Sequence, residues 1–503
     1  MKLQRMRPGR FRNIVLLVLA VVTLSCHRDR SVISAQELTQ IDSVDNTTYY
    51  VVDDEFLATG LELIDSYWGE VAKTGRHLLR GHLDNYLPIA LKSLEYEPAD
   101  LMMRSFADSF FGARDRKTGL IPYSYESWLD QAKTMQTKGK QPVALISQGV
   151  KLCQWFSEDL SLQNDCLALA SDTIEHFDFE PGSDQGLWGW VNVETGSEPR
   201  ISLTLIQDYG AIANALSYLS ESTGNPELMS WADQKLDFVW QNRLNANLPL
   251  LNEQFLPTQA LLRPEELSSD TDTLYYVRHL FELYELTGEE KYRDWAIAVT
   301  DLWYEESWQP EYGHFSRKLN PDGTAAVNTL YGDGKYNTLY VLIHAYEVTR
   351  DPKYINRVKE AWDNLLQMGD RGLVAEYLKQ GQMVEKSGLD KQQTIFLDIL
   401  VEAYEVSGDR EILQAAEDLG RRIIAEGESV MRIEGGQAGE AFLRLALTRG
   451  EIQRLEIPLG EVGRSLIVTK DGEKVFETIV PAEVAVVYFP EGNYEISNES
   501  EIH

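Results

Sequence analysis

Four turns of similar sequence recur along the chain about every sixty residues, and each is followed by a polar step and a new amphipathic run. The turns are Glu221-Ser222-Thr223-Gly224, Glu285-Leu286-Thr287-Gly288, Glu347-Val348-Thr349-Arg350 and Glu405-Val406-Ser407-Gly408. A repeat of this length is typical of arrays in which one helix-loop-helix unit is copied, because a single unit cannot bury its apolar face alone. The units must therefore stack side by side into one continuous core.

Apolar positions with the period of an α-helix predict helical pairs through the middle of the sequence. The pairs lie near residues 55–112, 141–178, 207–243, 270–306, 335–368 and 390–426, with a last helix near 436–449. Six pairs are the number that closes a ring in which outer helices cover inner ones. We therefore predict an all-α fold over residues 55–450, an (α/α)6 toroid of helical hairpins.

After Gly450 the apolar period changes to two, and the turn Asp471-Gly472 separates two such runs. This pattern is typical of antiparallel strands joined by tight turns. The sequence predicts a small C-terminal antiparallel β module at residues 451–503.

The N-terminus predicts export to the bacterial cell envelope. In residues 1–26, basic residues precede the apolar run Ile14 to Leu24. Thr23-Leu24-Ser25-Cys26 resembles a lipoprotein cleavage box, which would place a lipid anchor on Cys26. An ordinary cleaved signal or an uncleaved anchor are the alternatives. Residues 27–54 are predicted to be a flexible tether, so the protein would be periplasmic or at the cell surface and touch the membrane only through its lipid.

The charge of the chain indicates which partners it can bind, and its cysteines indicate a disulfide or buried thiols. The net charge of −32 repels nucleic acid, so no nucleic-acid partner is expected. Cys153 and Cys166 are predicted either to form a disulfide in an oxidising compartment or to remain buried thiols, and their surroundings lack the spacing of a zinc site. The sequence carries no signal for an oligomeric state.

Three acids stand at equivalent places where inner helices are predicted to begin. They are Asp208, Asp272 and Asp333. An aspartate at a helix start is often only a cap. If these side chains instead face one cavity, two carboxyl groups could protonate a leaving oxygen and activate water in glycoside cleavage.

His279 and Glu282 lie one helical turn apart, where a carboxylate can hold an imidazole that transfers protons. A solvated or core histidine is the plainer interpretation. Side chains near the predicted entrances of the inner helices could bind sugar rings, although an aromatic residue is often core. These candidate binding residues are Trp188, Trp190, Tyr209, Tyr276, His314, Tyr336 and Asn337.

The unit that runs from Asp272 to Gly288 resembles those of (α/α)6-toroid carbohydrate-active enzymes, such as N-acylglucosamine 2-epimerases and class I α-mannosidases. The resemblance covers about residues 55–450. His279-x-x-Glu282 is similar to the His-x-x-Glu of the epimerases, which implies that His279 is an acid/base. Those epimerases also use a second histidine near the end of the toroid, and here no histidine lies between His344 and His503. Calcium is possible by the resemblance to the mannosidases, but no motif supports it, so no cofactor or metal is expected.

Together these observations favour an exported glycoside hydrolase that acts on an oligo- or polysaccharide by paired-carboxylate catalysis. Location contributes to this choice, because an exported enzyme meets glycans rather than cytosolic sugars. Two alternatives remain. One is a sugar epimerase or isomerase of the N-acylglucosamine 2-epimerase type that uses His279, and the other is a non-catalytic glycan-binding surface lipoprotein.

Overall fold

The protein is mostly helical. The computed structural model describes residues 41–44, 47–74, 86–122, 140–180, 182–196, 203–260, 269–326, 335–384, 392–431, 437–459 and 462–499. The predicted signal segment, Cys26 and Asp333 lie outside these residues. None of the helices within the described ranges is both long and apolar enough to span a lipid bilayer.

The described part of the chain contains fourteen α-helices, most of them in consecutive pairs. They are α1 Glu55–Thr74, α2 Tyr86–Ser93, α3 Glu97–Gly112, α4 Leu145–Trp155, α5 Leu160–Phe177, α6 Ile206–Thr223, α7 Pro226–Gln241, α8 Leu274–Thr287, α9 Glu290–Glu306, α10 Lys335–Thr349, α11 Pro352–Gln367, α12 Gln393–Ser407, α13 Arg410–Glu426 and α14 Gln437–Arg449. From α4 onward their order matches the pairs that the apolar period predicts.

Alternate helices form an inner row. Each of α4, α6, α8, α10, α12 and α14 contacts the next in that order, and α5, α7, α9, α11 and α13 pack outside them. At the end of the row α14 contacts α1 and α2, α1 contacts α3, and α3 contacts α4. A side chain on Gly60 would collide with Leu443, so glycine lets α1 approach α14 closely.

The repeated turns end the inner helices with the same backbone conformation. Gly224, Gly288 and Gly408 are left-handed, with φ between +70° and +74°. This conformation terminates helices and favours glycine, which has no Cβ to clash. The third turn places Arg350 there at φ +59°, and its guanidinium donates to Val406 O at 2.9 Å. The repeat in the sequence is therefore a repeat of one turn.

Short strand pairs lie in the loops between helices. They are β3 Lys140–Pro142 with β4 Trp190–Asn192, β5 Thr204–Leu205 with β6 Gln254–Leu256 and β7 Gln259–Ala260, β8 Ser269–Asp270 with β11 Lys318–Leu319, β9 Trp308–Gln309 with β10 His314–Phe315, and β12 Leu378–Lys379 with β13 Gln382–Met383. Each pair is antiparallel. The pairs β6–β7, β9–β10 and β12–β13 lie within one loop, whereas the other pairs join loops that are separated by two helices.

The C-terminal residues form longer antiparallel strands. They are β14 Ile452–Pro458, β15 Arg464–Lys470, β16 Glu473–Val480, β17 Val484–Pro490 and β18 Tyr494–Glu499. β14 pairs with β17, and β15 lies between β16 and β18. Alternate residues such as Leu466, Val468 and Phe476 are buried, as the period of two predicts.

Two N-terminal strands join the C-terminal ones. β1 Ile41–Val44 pairs with β2 Thr47–Val51, and β2 packs against β17, where Val52 N–H donates to Tyr488 O at 2.9 Å. Tyr49 and Tyr50 are fully buried there. This differs from the tether predicted over residues 27–54, because the described residues from 47 on are apolar enough to complete a sheet.

Two links fix the outer layer to its neighbours. Cys153 of α4 and Cys166 of α5 form a disulfide, so of the two alternatives for these cysteines the structure has the bond. Asp178, Trp231 and Lys235 make an outer ionic cluster. Lys235 Nζ donates to Asp178 Oδ1 at 2.7 Å, and Trp231 Nε1 donates to Asp178 Oδ2 at 2.8 Å. This cluster ties α7 to the loop that leads to β4.

Candidate functional site

A cavity of about 810 Å³ lies between the inner helices in the part of the chain that the structure describes. All six helices of the inner row contribute to its lining, for example with Leu145, Asp208, His279, Tyr340, Asp398 and Glu440. A cavity of this size lies within the range of small-molecule binding sites. The helical row therefore brings distant parts of the chain to one cavity.

His279 is held at the cavity wall by its neighbours. Its Nδ1 lies 2.9 Å from Glu282 Oε2, one helical turn further along α8. An ionised carboxylate can only accept a hydrogen bond, so the contact with Glu282 favours the tautomer that carries its hydrogen on Nδ1, and in that neutral form Nε2 has the free electron pair. Asn214 Nδ2 also lies 2.9 Å from Nδ1 and donates to the same Glu282 oxygen. The imidazole is thus oriented with Nε2 as its basic nitrogen.

The charge of Glu282 follows from its surroundings. Burial raises the pKa of Glu282, but the charge and hydrogen bond of His279, together with the charges of Arg278 and His344, lower it to about 2. The carboxyl is therefore ionised at neutral pH. An ionised Glu282 cannot donate a proton, and in the structure it lies within hydrogen-bond distance of His279 Nδ1.

A close helix contact fixes the other side of the imidazole. A Cβ on Gly210 of α6 would lie only 2.7 Å from His279 Cδ2 and 2.8 Å from its Cβ. Real Cβ atoms do not approach other atoms so closely, and therefore no larger residue fits without moving His279. Glycine at position 210 lets α6 support the ring.

Further along the row lies an inner ionic cluster made of Asp398, Glu402, Glu405 and Arg444. Arg444 Nη1 donates to Asp398 Oδ1 and Glu402 Oε2, both at 3.0 Å, and Nη2 donates to Glu405 Oε2 at 2.9 Å. Burial lowers the pKa of Arg444, but these three carboxylates raise it well above the ordinary value. The cluster joins α14 to α12, and Asp398 also lines the cavity.

Arg278 and Tyr340 connect this cluster to the cavity. Tyr340 hydroxyl donates to Asp398 Oδ2 at 2.5 Å, so both oxygens of Asp398 are bound. The guanidinium carbon of Arg278 lies 3.9 Å from the centre of the Tyr340 ring. His344 Nε2 lies 3.4 Å from Glu402 Oε1. A line of charges therefore runs from α8 through α10 to α12.

The three acids that the sequence predicts at one site have different places in the structure. Asp208 lines the cavity at the third residue of α6, and Leu205, not Asp208, precedes the helix as its cap. Asp272 lies in the short 3₁₀ turn Thr271–Thr273 and does not line the cavity. Asp270 caps that turn by accepting from Asp272 N. Asp333 lies outside the described residues, so one of the three acids is placed at the cavity.

Of the predicted binding residues, some line the cavity and others do not. Trp190 and Tyr336 line the cavity. Tyr209 is buried, and its hydroxyl accepts from Leu187 N at 3.0 Å. Tyr276 of α8 is fully buried and does not line the cavity, and Trp188 packs edge-on against Phe179. These last three belong to the packing between helices and loops.

Two other predicted binding residues are occupied by backbone contacts. His314 is buried, its Nε2 accepts from Gly381 N at 3.1 Å, and its Nδ1 lies 2.9 Å from Phe315 O. Asn337 is buried and donates to Thr271 O at 3.3 Å. Both side chains hold loops together, and neither lines the cavity.

Sequence reasoning missed Asn214, Arg278, Tyr340 and Asp398, which all line the cavity. Each stands ten residues before the left-handed turn residue of its own unit. Glu282, His344 and Glu402 stand six residues before the same turns, one helical turn further along. Counting back from the repeated turn would therefore have identified the cavity face.

Among the residues that the structure describes, no group of three or more His, Cys, Asp or Glu side chains is arranged to hold a metal ion. No family model matches the sequence, and no curated protein matches it either.

Solved structures show what the fold resembles. The cellobiose 2-epimerase from Spirochaeta thermophila DSM 6192 matches with a TM-score of 0.51 at 13% identity, over 72% of this chain and 99% of that chain. A sugar epimerase from a ruminal bacterium has a TM-score of 0.49 at 17% identity, over 68% and 95%. A GH76 alpha-mannanase from Bacteroides thetaiotaomicron has 0.41 at 13%, over 61% and 85%. The first match confirms, for the fold alone, the resemblance to toroid carbohydrate-active enzymes.

Proposed function

We propose that the chain is a carbohydrate-active enzyme whose reaction takes place in the cavity between the inner helices. In this proposal the helices form an (α/α)6 toroid, and the strands of residues 451–503 form a module at its side. The contribution of six successive inner helices to one cavity supports the toroid. The fold shared with a cellobiose 2-epimerase supports a sugar as the substrate.

Within that class we propose proton transfer by His279, as in a sugar epimerase or isomerase. The observation that carries this proposal is the hydrogen bond from His279 Nδ1 to the ionised Glu282 at the cavity wall. This arrangement favours a base over a purely structural histidine, because it supplies orientation and leaves Nε2 for a substrate.

The chemistry requires the open-chain form of a reducing sugar. His279 Nε2 removes the proton from the carbon next to the carbonyl, and the electron pair of that C–H bond moves onto the carbonyl oxygen. Return of a proton to the opposite face of the same carbon re-forms the carbonyl and gives the epimer. Return of a proton to the former carbonyl carbon gives the isomeric ketose, with the hydroxyl proton of the neighbouring carbon passing to the former carbonyl oxygen. Asp208 lies on the neighbouring helix and is our candidate for this second proton transfer.

A glycoside hydrolase remains the second candidate because several carboxyl groups share the cavity. Asp208 and Glu440 both line it, as paired-carboxylate cleavage requires. Asp398 is less suited, because Tyr340 and Arg444 occupy both of its oxygens. A glycan-binding protein without catalysis is the remaining alternative.

Export to the cell envelope with a lipid on Cys26 is also part of the proposal. The disulfide between Cys153 and Cys166 supports an oxidising compartment, where such bonds persist. Metabolic labelling with a radioactive fatty acid would test the anchor. Label that remains on a Cys26→Ala variant would contradict it.

The activity test uses the purified protein in D₂O with cellobiose, D-mannose and N-acetylglucosamine. We expect NMR to detect deuterium at the carbon next to the carbonyl of at least one sugar. His279→Gln should reduce the rate by about 10² to 10⁴, the usual contribution of a positioned acid/base. The matched control is His176→Gln on the outer helix α5, which should keep the wild-type rate.

A parallel assay measures release of reducing ends from a panel of oligosaccharides, with Asp208→Asn as its variant. Release without deuterium exchange, lost in Asp208→Asn, would replace the epimerase by the hydrolase. Neither exchange nor release, with measurable glycan binding, would leave the non-catalytic alternative.

A further inference from the structure

The proposed reaction places negative charge in a cavity that is already acidic. When the C–H bond breaks, the electron pair collects on the carbonyl oxygen, and such an oxyanion needs a positive or donating group beside it. The carboxylates that line the cavity are Asp208, Glu282, Glu285, Asp398 and Glu440. Without a fixed cation, these groups would raise the energy of the oxyanion intermediate.

Arg278 and Lys151 are the lysine and arginine residues among the described lining. Arg278 directly precedes His279 on α8, so the two side chains enter the cavity from the same helical turn. Lys151 belongs to α4 and is two inner helices away. Position therefore favours Arg278 as the cation nearest to the carbonyl from which His279 takes the neighbouring proton.

The guanidinium of Arg278 has a fixed support. It lies 3.9 Å from the centre of the Tyr340 ring, at the distance of a cation–π contact. That ring is held in turn, because its hydroxyl donates to Asp398, whose other oxygen accepts from Arg444. Burial and the charge of Asp398 raise the pKa of Tyr340 well above its ordinary value, so the hydroxyl remains a donor. The chain of contacts prepares the guanidinium before substrate arrives.

We propose that Arg278 is a catalytic residue that stabilises the oxyanion formed during proton transfer, and that Tyr340, Asp398 and Arg444 position it. This inference rests on the proposed function. In the reaction the proton goes from carbon to His279 Nε2, and the electron pair goes to the carbonyl oxygen facing Arg278. The guanidinium keeps its own protons throughout, because arginine side chains stay charged in proteins.

A simpler role for Arg278 would be to neutralise buried carboxylates. Its charge does lower the pKa of both Glu282 and Glu402. That role affects folding and the charge of the wall, but it does not select the transition state over the bound substrate. The two roles therefore differ in the kinetic parameter that they change.

The experiment compares Arg278→Ala with the wild type on whichever of cellobiose, D-mannose and N-acetylglucosamine exchanges deuterium fastest. We expect kcat to fall by about 10² to 10³, as for loss of an oxyanion donor, with KM changed less than threefold. Guanidinium ion, added well below concentrations that unfold proteins, should restore part of the rate. A structural role would give no such rescue.

Arg357→Ala is the matched control. Arg357 also stacks on aromatic rings, with its guanidinium carbon 4.5 Å from the centres of Tyr304 and Trp308, but it lies on α11 outside the cavity. It should keep the wild-type kcat and show no response to guanidinium. Tyr340→Phe, which keeps the ring and loses the bond to Asp398, should lower kcat less than Arg278→Ala.

The outcomes separate two failures. If the wild type exchanges no deuterium into any of the three sugars, the proposed function is overturned and this inference with it. If the wild type exchanges but Arg278→Ala keeps its kcat, or only its KM rises, the inference alone is overturned. Should Arg278→Ala not fold, Arg278→Lys replaces it. The lysine variant should keep a reduced kcat because it retains charge without the flat stacking.

Discussion

The two buried ionic clusters differ in balance and in place. In the outer cluster one ammonium, Lys235, meets one carboxylate, Asp178, and the lysine also donates to Gln185 O at 2.9 Å. In the inner cluster one guanidinium, Arg444, meets three carboxylates. The outer cluster is neutral and closed, whereas the inner one has an excess of negative charge and borders the cavity.

The difference shows that burial of charge does not by itself identify a functional site. A balanced pair whose hydrogen bonds all go to one loop can be explained by folding alone. An unbalanced cluster needs further cations, and Arg278 and His344 supply positive charge near Glu402 and help to lower its pKa against the effect of burial. The cations that balance the inner cluster therefore include Arg278, which lines the cavity.

Among the variants that test this difference between the clusters, Lys235→Met is expected to have the largest effect on the free energy of unfolding. It leaves Asp178 buried without its cation, and loss of one partner of a buried pair typically costs about 3–5 kcal/mol. Urea unfolding should show this loss while kcat per folded molecule stays at the wild-type value. Arg444→Met should instead lower kcat as well as stability, because Tyr340 and Arg278 lose their support.

The double variant Lys235→Met with Asp178→Asn is the control for that experiment. It removes both charges, so it should recover part of the lost stability. The comparison would collapse if Lys235→Met reduced kcat as strongly as Arg444→Met does.

The disulfide can be compared with the outer ionic cluster, because it is a covalent link that joins the inner helix α4 to the outer helix α5. Cys153→Ala with Cys166→Ala should lower the free energy of unfolding by about 2–4 kcal/mol, chiefly by freeing the unfolded chain. Treatment of the wild type with a reductant should reproduce the loss. A reductant effect that persists in the double variant would point to another cause.

The last prediction concerns pH. The folded pKa of Glu282, about 2, lies below its ordinary value of 4.5. Its stabilising contribution is therefore fully present above about pH 4.5 and is lost as pH falls towards 2. Glu282→Gln should lose less stability than the wild type between these values, as measured by thermal unfolding. Equal losses would mean that His279 does not hold this carboxylate ionised.

Much of the helical frame follows from the sequence, because glycine in a left-handed turn and an apolar period of 3.6 are local signals. The residues that line the cavity could be predicted less well from the sequence. Arg278 and Tyr276 lie two residues apart on α8, yet one lines the cavity and the other is fully buried. Successive side chains of a helix differ by about 100° in direction, so composition cannot tell such neighbours apart. The position relative to the turn can.

Loops and chain ends were harder to predict for a different reason. The burial of Tyr49 and Tyr50 depends on strand β17, more than four hundred residues later in the chain. His314 and Asn337 are likewise occupied by backbone groups from other loops. A local pattern contains no information about partners so distant in sequence.

The packing of β2 against β17 also has a consequence for the order of events during biosynthesis. The ribosome completes Val52 long before Tyr488, and at about 5–20 residues per second the interval is roughly 20–90 seconds. Throughout that time β2 has β1 beside it but lacks β17, and helix α1 lacks α14. The nascent chain therefore carries an exposed apolar edge almost until translation ends, which makes it a natural client for a chaperone.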